Sequence, residues 1–478
     1  MKLSRRAAGV SLALLLCAGA ARAQGQDARV LPRGVVAAGV AGEYTYFSSR
    51  LGSDGSGSLG APFATTFPAS FFPALRTVQD SLARFFTATA RAGDTFAPTA
   101  EDVNLGTLDV SLAADVRRVP LFVEAGVLPR VTARLTVPLE RRATELTGLR
   151  LAGGTLGLNT RADTLSKLLG KISPSLASIG RLAALPLAGS RAGSELQRRY
   201  LRATGDTTTL PLPTRAVNST QLNTLLGAAS LQPLPFESHH GDYLLGDVEL
   251  AARMQLTGPV GVELSPGAHG TRIAVEAGIR LPTALGVNRD SLLTDVIGDV
   301  GHAGATVAAF GDFGLSSRFW VGTAARYTAL LARDVERLTW TPGQPYTPLG
   351  EAVTVRRSPG AQMALSVAPR YQLTSQIALT GRYGFAHVGE TTYEGTASSS
   401  SAPTALVGLE STGAGTVQTL GFGTTYSTMA SFLARRTNIP LEVWLDYDTA
   451  ITGTGGVADT GMLRLTGRLF VPAWGKAR

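Results

Sequence analysis

The sequence predicts an all-β protein: an antiparallel transmembrane β-barrel of about twelve strands, with helical segments in long extracellular loops. Three observations predict it. Stretches of about 10–17 residues alternate apolar and polar side chains, where soluble strands average about 5–6. The connections between them alternate in length, as turns on one rim and long loops on the other require. No stretch reaches the roughly 18 consecutive apolar residues of a spanning helix.

Composition and the N-terminus set the compartment. Only 17% of the 478 residues are charged and 55 are glycine, which excludes a disordered chain. Lys2, Arg5 and Arg6 precede an apolar run that starts at Val10 and ends in Ala21-Arg22-Ala23. This reads as a secretory signal over 1–23, with cleavage before Gln24 and one outer-membrane barrel domain over 24–478. Removing it takes away four basic residues and no acidic one, so the net charge of +9 falls by four to +5. No dense Lys/Arg stripe follows, so nucleic acid is not an expected partner. The single cysteine, Cys17, lies in the signal, which excludes a disulfide scaffold and a thiolate metal cluster.

The expected strands are 36–50, 107–127, 131–142, 242–257, 271–284, 304–315, 319–335, 361–373, 377–394, 415–432, 441–453 and 459–474. Their faces are legible. Leu250, Ala252, Met254 and Leu256 oppose Glu249, Arg253 and Gln255, and Ile273, Val275 and Ile279 oppose Arg272, Glu276 and Arg280. In 107–127 the apolar face changes parity near Arg117-Arg118, which predicts a bulge or a break there. Short turns are expected at 128–130, 316–318, 374–376 and 436–438, and the longest insertions at 51–106 and 143–241. Closure would satisfy every backbone group in lipid and leave no edge. Tyr44, Tyr46, Phe319, Tyr327, Tyr371, Phe422, Tyr426, Phe470 and Trp474 sit where interfacial girdles belong.

The polar faces define the candidate lumen. Alternation directs Arg134, Asp247, Glu249, Arg253, Glu276, Arg280, Arg326, Arg370, Arg382, Glu442, Asp446, Arg464 and Arg468 inward, with Arg272, Asp312 and Asp448 beside them. Such a mixed lining either pairs across strands or lines a polar pore. In the insertions, Leu75, Leu82, Phe85 and Phe86 follow helical spacing, as do Leu165, Leu168, Leu169 and Ile172. Further short helices are expected at 219–229 and 290–298, and a flexible tip at 396–404. The apolar stripes either pack on each other or leave a groove, formed by Leu82, Phe85, Phe86, Leu165, Leu168, Leu169 and Ile172, where a hydrophobic solute lands.

A resemblance adds to this reading. Phe122-Val-Glu-Ala-Gly-Val-Leu-Pro-Arg130, Gly246-Asp247-Val248-Glu249-Leu250, Gly278-Ile-Arg-Leu-Pro282-Thr283 and a strand end at Arg326-Tyr327 follow one another in order. Over residues 105–330 the chain resembles outer-membrane transporters related to the phenol-degradation MetA-pathway proteins and, more distantly, the fatty-acid transporter FadL. The resemblance implies uptake of hydrophobic or aromatic compounds.

No chemistry-bearing motif competes with transport. His239-His240 has no further ligand at metal spacing, so no metal site is expected. Gly55-Ser-Gly-Ser-Leu-Gly60 lacks the strand-turn-helix context of a dinucleotide loop. No cofactor and no catalytic residue is assigned. The expected function is a passive outer-membrane channel for small hydrophobic or aromatic solutes. The alternative is a structural or adhesin-type barrel whose long loops are the functional part. The expected partners are outer-membrane lipid, lipopolysaccharide, a small-molecule solute and the barrel-assembly machinery.

Overall fold

The period-two stretches pair into one closed antiparallel ladder. The computed structural model describes residues 27–52, 55–61, 64–68, 73–228, 238–284, 301–338, 352–394 and 414–472. The signal segment, the 290–298 helix, the 396–404 tip and Trp474 lie outside the described residues. The barrel strands are β1 (Val35–Phe47), β2 (Asn104–Leu128), β3 (Val131–Ala152), β4 (Val248–Thr257), β5 (Thr271–Leu281) and β6 (Gly304–Gly314). They continue with β7 (Phe319–Leu330), β8 (Gln362–Gln372), β9 (Ile377–Val388), β10 (Gly415–Ser427), β11 (Leu441–Thr454) and β12 (Gly461–Pro472). Each pairs with its neighbours in sequence, and β12 pairs back onto β1 from Val35↔Pro472 to Tyr46↔Gly461. Twelve strands therefore close with no edge, the arrangement a β-protein needs in hydrocarbon.

The outside of this cylinder is apolar. Val40, Leu121, Leu250, Ile279, Leu420 and Leu465 are exposed, while their sequence neighbours Glu249, Arg280 and Arg464 turn the other way. Exposed Tyr371 and Tyr426 mark the rim of the short turns, and Tyr44, Tyr46 and Tyr327 the opposite end. Phe470 departs from the girdle expectation. It turns inward, 4% exposed, and packs with Leu31, Ala37, Val262 and Met429.

Strand β2 carries no bulge at Arg117-Arg118. Its register runs unbroken through Arg117↔Arg141 and Arg118↔Glu140, and shifts instead at Ser111/Leu112 and Gly126/Leu128. The even-numbered residues from Gly106 to Gly126 are all buried, so one face points inward throughout that stretch. What changes is the chemistry of that one face: Arg118 and Glu124 lie low in the lumen, whereas Leu108, Val110, Leu112 and Val116 meet an apolar cap. At 25 and 22 residues, β2 and β3 exceed the roughly 9–11 a membrane crossing needs, so this hairpin stands well clear of the bilayer.

Other strand ends also differ. The chain leaves the sheet at Thr428, whose hydroxyl donates to the carbonyl of Ile439 and accepts from the amide of Leu441, and Met429–Leu433 is a helical turn rather than strand. Beyond Leu330 and Val388 the chain forms a separate small sheet of Arg333–Leu338, Ala352–Ser358 and Thr392–Glu394.

The face assignment is testable. Leu250→Arg puts a charge into lipid at a cost of about 2–4 kcal/mol near the midplane. Glu249→Gln leaves the outer face untouched. The first is expected to lower the yield of heat-modifiable, folded protein and the second to leave it unchanged; equal losses would contradict the assignment.

Candidate functional site

The lumen of the lower barrel is built from charges that alternate in sign. Arg253 on β4 meets Glu276 on β5 at 2.8 Å, and Glu276 meets Arg134 on β3 at 3.7 Å. Arg134 meets Glu124 on β2 at 2.7 Å, Glu124 meets Arg468 on β12 at 2.9 Å, and Arg468 meets Glu442 on β11 at 2.7 Å. The circuit then leaves the wall. Glu442 pairs with Arg29 at 2.8 Å, Arg29 with Asp27 at 2.7 Å, and Asp27 returns to Arg253 at 3.9 Å. The last two members belong to the segment before β1, which lies inside the barrel.

That segment is held by its backbone as well. The amide of Ala28 donates to Asp312 at 3.0 Å, that of Leu31 to the Thr132 hydroxyl at 2.7 Å, and Arg253 donates to the carbonyl of Asp27 at 2.9 Å. Residues 27–31 are all buried. The approach is so close that a Cβ on Gly126 would stand 2.1 Å from the Pro32 carbonyl oxygen, so only glycine fits there. The 258–270 connection folds in beside the segment. Its Val262 carbonyl accepts from Arg29, and the buried Arg272 donates to the carbonyls of Glu263 and Ser265. Both pieces lie at the rim of the short turns, the periplasmic side of such barrels.

The remaining candidate lumen residues surround this circuit. Arg326 joins Glu276 at 3.3 Å, Arg280 pairs with Asp247 at 3.1 Å, and Arg464 with Glu43 at 3.0 Å. Arg382 spans Asp446 and Asp448 at 3.1 and 2.9 Å. Glu249 is half-buried, opposite Arg280 in the ladder, and Arg370 is half-buried on the wall of a cavity. The sequence reading missed Asp27, Arg29, Glu43, Arg118 and Glu124. Glu43, Arg118 and Glu124 were readable as lone charges on the inward parity of long strands. Asp27 and Arg29 carry no periodic signal at all.

The apolar loop residues do not form a groove. Leu82, Phe85 and Phe86 on α1 (Pro73–Ala88) and Leu165 and Leu169 on α2 (Ala162–Gly170) are buried in one cluster, with Leu168 and Ile172 packed against it. Leu196 and Tyr200 on α3 (Arg191–Thr204) and the inward face of upper β2 belong to the same core. The stripes thus close on each other, because an exposed apolar face is costly in water. Ser190 accepts from the amide of Gly193 at the start of α3, and Gly205 at φ 65° ends it, signals the sequence reading passed over.

Ion pairs pin the cap together outside the membrane. A hydrogen bond from Arg202, with others from the Arg91 amide and Arg198, holds the Asp94 carboxyl well below the usual range. Hydrogen bonds from Thr208 and Lys171 lower Asp206 from 3.8 to about 2. Among the described residues no group of three or more His, Cys, Asp or Glu is placed to hold a metal ion.

No protein-family model matches the chain, and no curated protein matches it. Among solved structures it is similar to the COG4313 outer membrane channel from Pseudomonas putida F1, at 10% identity and a TM-score of 0.45, covering 94% of this chain and 100% of that one. It is also similar to a TodX monoaromatic hydrocarbon channel mutant, at 11% identity, a TM-score of 0.31 and coverage of 93% and 91%. A third is a Pseudomonas aeruginosa FadL homologue, at 9% identity, a TM-score of 0.30 and coverage of 92% and 90%. The class of the protein stands on its own ladder and faces: a membrane-spanning, twelve-stranded β-barrel of the outer-membrane type, its lumen filled by paired charges and an N-terminal segment.

Two outcomes follow from this geometry. Glu442→Ala strips a fully buried carboxylate from both Arg29 and Arg468, a loss of about 3–5 kcal/mol, whereas Glu249→Ala at a half-buried site costs about 1 kcal/mol or less. The temperature at which the folded gel band converts to the unfolded one is expected to fall for the first and hold for the second. Because the Asp94 and Asp206 carboxyls are depressed in the folded cap, their contribution is full above about pH 4 and is lost as pH falls toward 2. Limited proteolysis of residues 143–228 is expected to be flat from pH 8 to 5; a rise already at pH 6 would contradict the assignment.

Proposed function

We propose that the protein is a passive outer-membrane channel for small solutes, with hydrophobic or aromatic compounds as its preferred cargo, held shut by residues 27–34. One observation supports the reading: a peptide segment without regular secondary structure lies buried in the lumen, tied to the wall by ion pairs and hydrogen bonds. A twelve-stranded barrel is wider than the eight-stranded size that side chains fill, so removing such a segment leaves a water-filled path. The hydrophobic preference rests on the sequence resemblance and on the aromatic side chains Phe122, Trp320 and Trp444 within the lumen wall. The adhesin alternative gains nothing from the cap, whose apolar residues are spent on its own core.

In this reading the apolar belt contacts outer-membrane lipid, the cap stands among lipopolysaccharide, and the barrel-assembly machinery inserts the chain. The lining arginines and acids, Arg134, Arg253, Glu276, Glu442 and Arg468 among them, become the walls of the open path.

The test is a comparison in planar bilayers. A chain lacking residues 24–33 is expected to fold, because the β1–β12 ladder begins at Val35, and to show conductance several times that of the full chain. Equal conductance in the two proteins would overturn the plug. Liposome uptake of toluene and of a sugar of similar size then reads the preference.

A further inference from the structure

We propose that the rim of the short turns is a docking ring for anionic phospholipid headgroups of the periplasmic leaflet, read by arginines on three turns spaced evenly around the wall. The ring lies outside the lumen and stands whether or not the barrel conducts.

This rim is one-sided in charge. Arg33, Arg130, Arg318, Arg435 and Arg436 are all exposed there, against one exposed acid, Glu263, among the described residues. The lumen arginines are engaged by carboxylates, whereas none of these five has an ion-pair partner among the described residues. Among those residues their one side-chain hydrogen bond runs from Arg130 to the Leu256 carbonyl, at 3.4 Å. The acids nearest to them in the chain, Asp27, Glu124, Asp312 and Glu442, are all buried in the lumen.

Placement selects a membrane over a soluble partner. The β2–β3, β6–β7 and β10–β11 turns carry Arg130, Arg318 and the Arg435-Arg436 pair, and they lie four strands apart in a ring of twelve. A protein partner takes a contiguous patch of about 800 Å². Charges a third of the circumference apart share no such patch and face the bilayer that surrounds them. Each also adjoins an aliphatic residue more than half exposed: Leu128, Leu315, and Leu433 with Ile439. Apolar surface thus reaches down to the rim, which puts the guanidinium groups where acyl chains give way to phosphates. An arginine fork takes two oxygens of a phosphodiester at once. A zwitterionic headgroup brings its own cation to that fork and an anionic one does not, so the ring favours lipid of the phosphatidylglycerol type.

The preference is read from the lipids the protein keeps. Mature protein is released by native mass spectrometry from micelles holding equal amounts of dioleoylphosphatidylglycerol and dioleoylphosphatidylcholine. Phosphatidylglycerol is expected in at least about fivefold excess among the retained lipids, the effect of one basic residue at an anionic surface. Replacing Arg130, Arg318, Arg435 and Arg436 together by Gln is expected to bring the ratio close to one. Replacing Arg76, Arg161, Arg181 and Arg215 by Gln takes the same charge from exposed positions of the cap and is expected to leave the ratio unchanged. Heat-modifiable migration verifies folding of each variant; should the rim variant not fold, Arg130→Gln with Arg318→Gln decides, with a severalfold fall expected. Equal retention of the two lipids by the native protein, an unchanged ratio in the rim variant, or an equal fall in the cap variant would each overturn the ring.

Discussion

Eight alternating charges inside the barrel tie six strands of the wall to the segment that precedes β1. A charge taken out of water alone is costly, and the cost is met here by giving each member of the circuit partners of opposite sign. Six members stand on six strands, joined by three ion pairs between neighbouring strands and two that skip a strand, and the other two members are Asp27 and Arg29. Without that segment Glu442 would lose a partner at 2.8 Å and Arg253 a carbonyl acceptor at 2.9 Å. The position of the N-terminal segment is thus set by the wall, and the wall's electrostatic balance by the segment.

The barrel itself was readable because lipid imposes a one-sided chemistry at the period of a strand. Leu250 against Glu249, or Ile279 against Arg280, says which face meets hydrocarbon before any partner is known. The same argument failed on β2 for a definite reason. Below Arg118 the apolar face is the outer one; above it the inner face is the apolar one, since Leu108, Val110 and Leu112 pack on the cap, while Asp109, Ser111, Asp115 and Arg117 point outward. A switch in which face is apolar was taken for a switch in the backbone.

Alternation tells the face of a residue and is silent on its neighbours across the lumen. Arg29 and Glu442 lie 413 positions apart, and nothing local in either marks the other. Phe470 shows the complement: its aromatic type at a strand end fits a girdle, yet its parity, shared with Arg464 and Arg468, turns it toward Leu31. In the cap, helical spacing found the buried side chains of α1 and α2 but not what they face. α3 escaped because its buried face includes Arg199, which donates to Glu195 and to the carbonyl of Phe86. A charged residue on the inner face hides a helix from a search for apolar stripes.

Holding the segment by charge rather than by apolar contact has a mechanical consequence. Burial of apolar area is non-directional and tolerates sliding, whereas ion pairs and backbone hydrogen bonds are satisfied at one position only. Buried ion pairs also contribute less to stability than to geometry, because desolvation offsets most of the attraction. A segment seated this way is accurately placed without being deeply trapped. In the open state that the proposed channel requires, Glu442, Arg253 and Asp312 would meet incoming water rather than lipid, and hydration would replace the partners they lose. The residues that seat the segment would then also be the ones that make an emptied lumen wettable, one lining serving both states of that proposal.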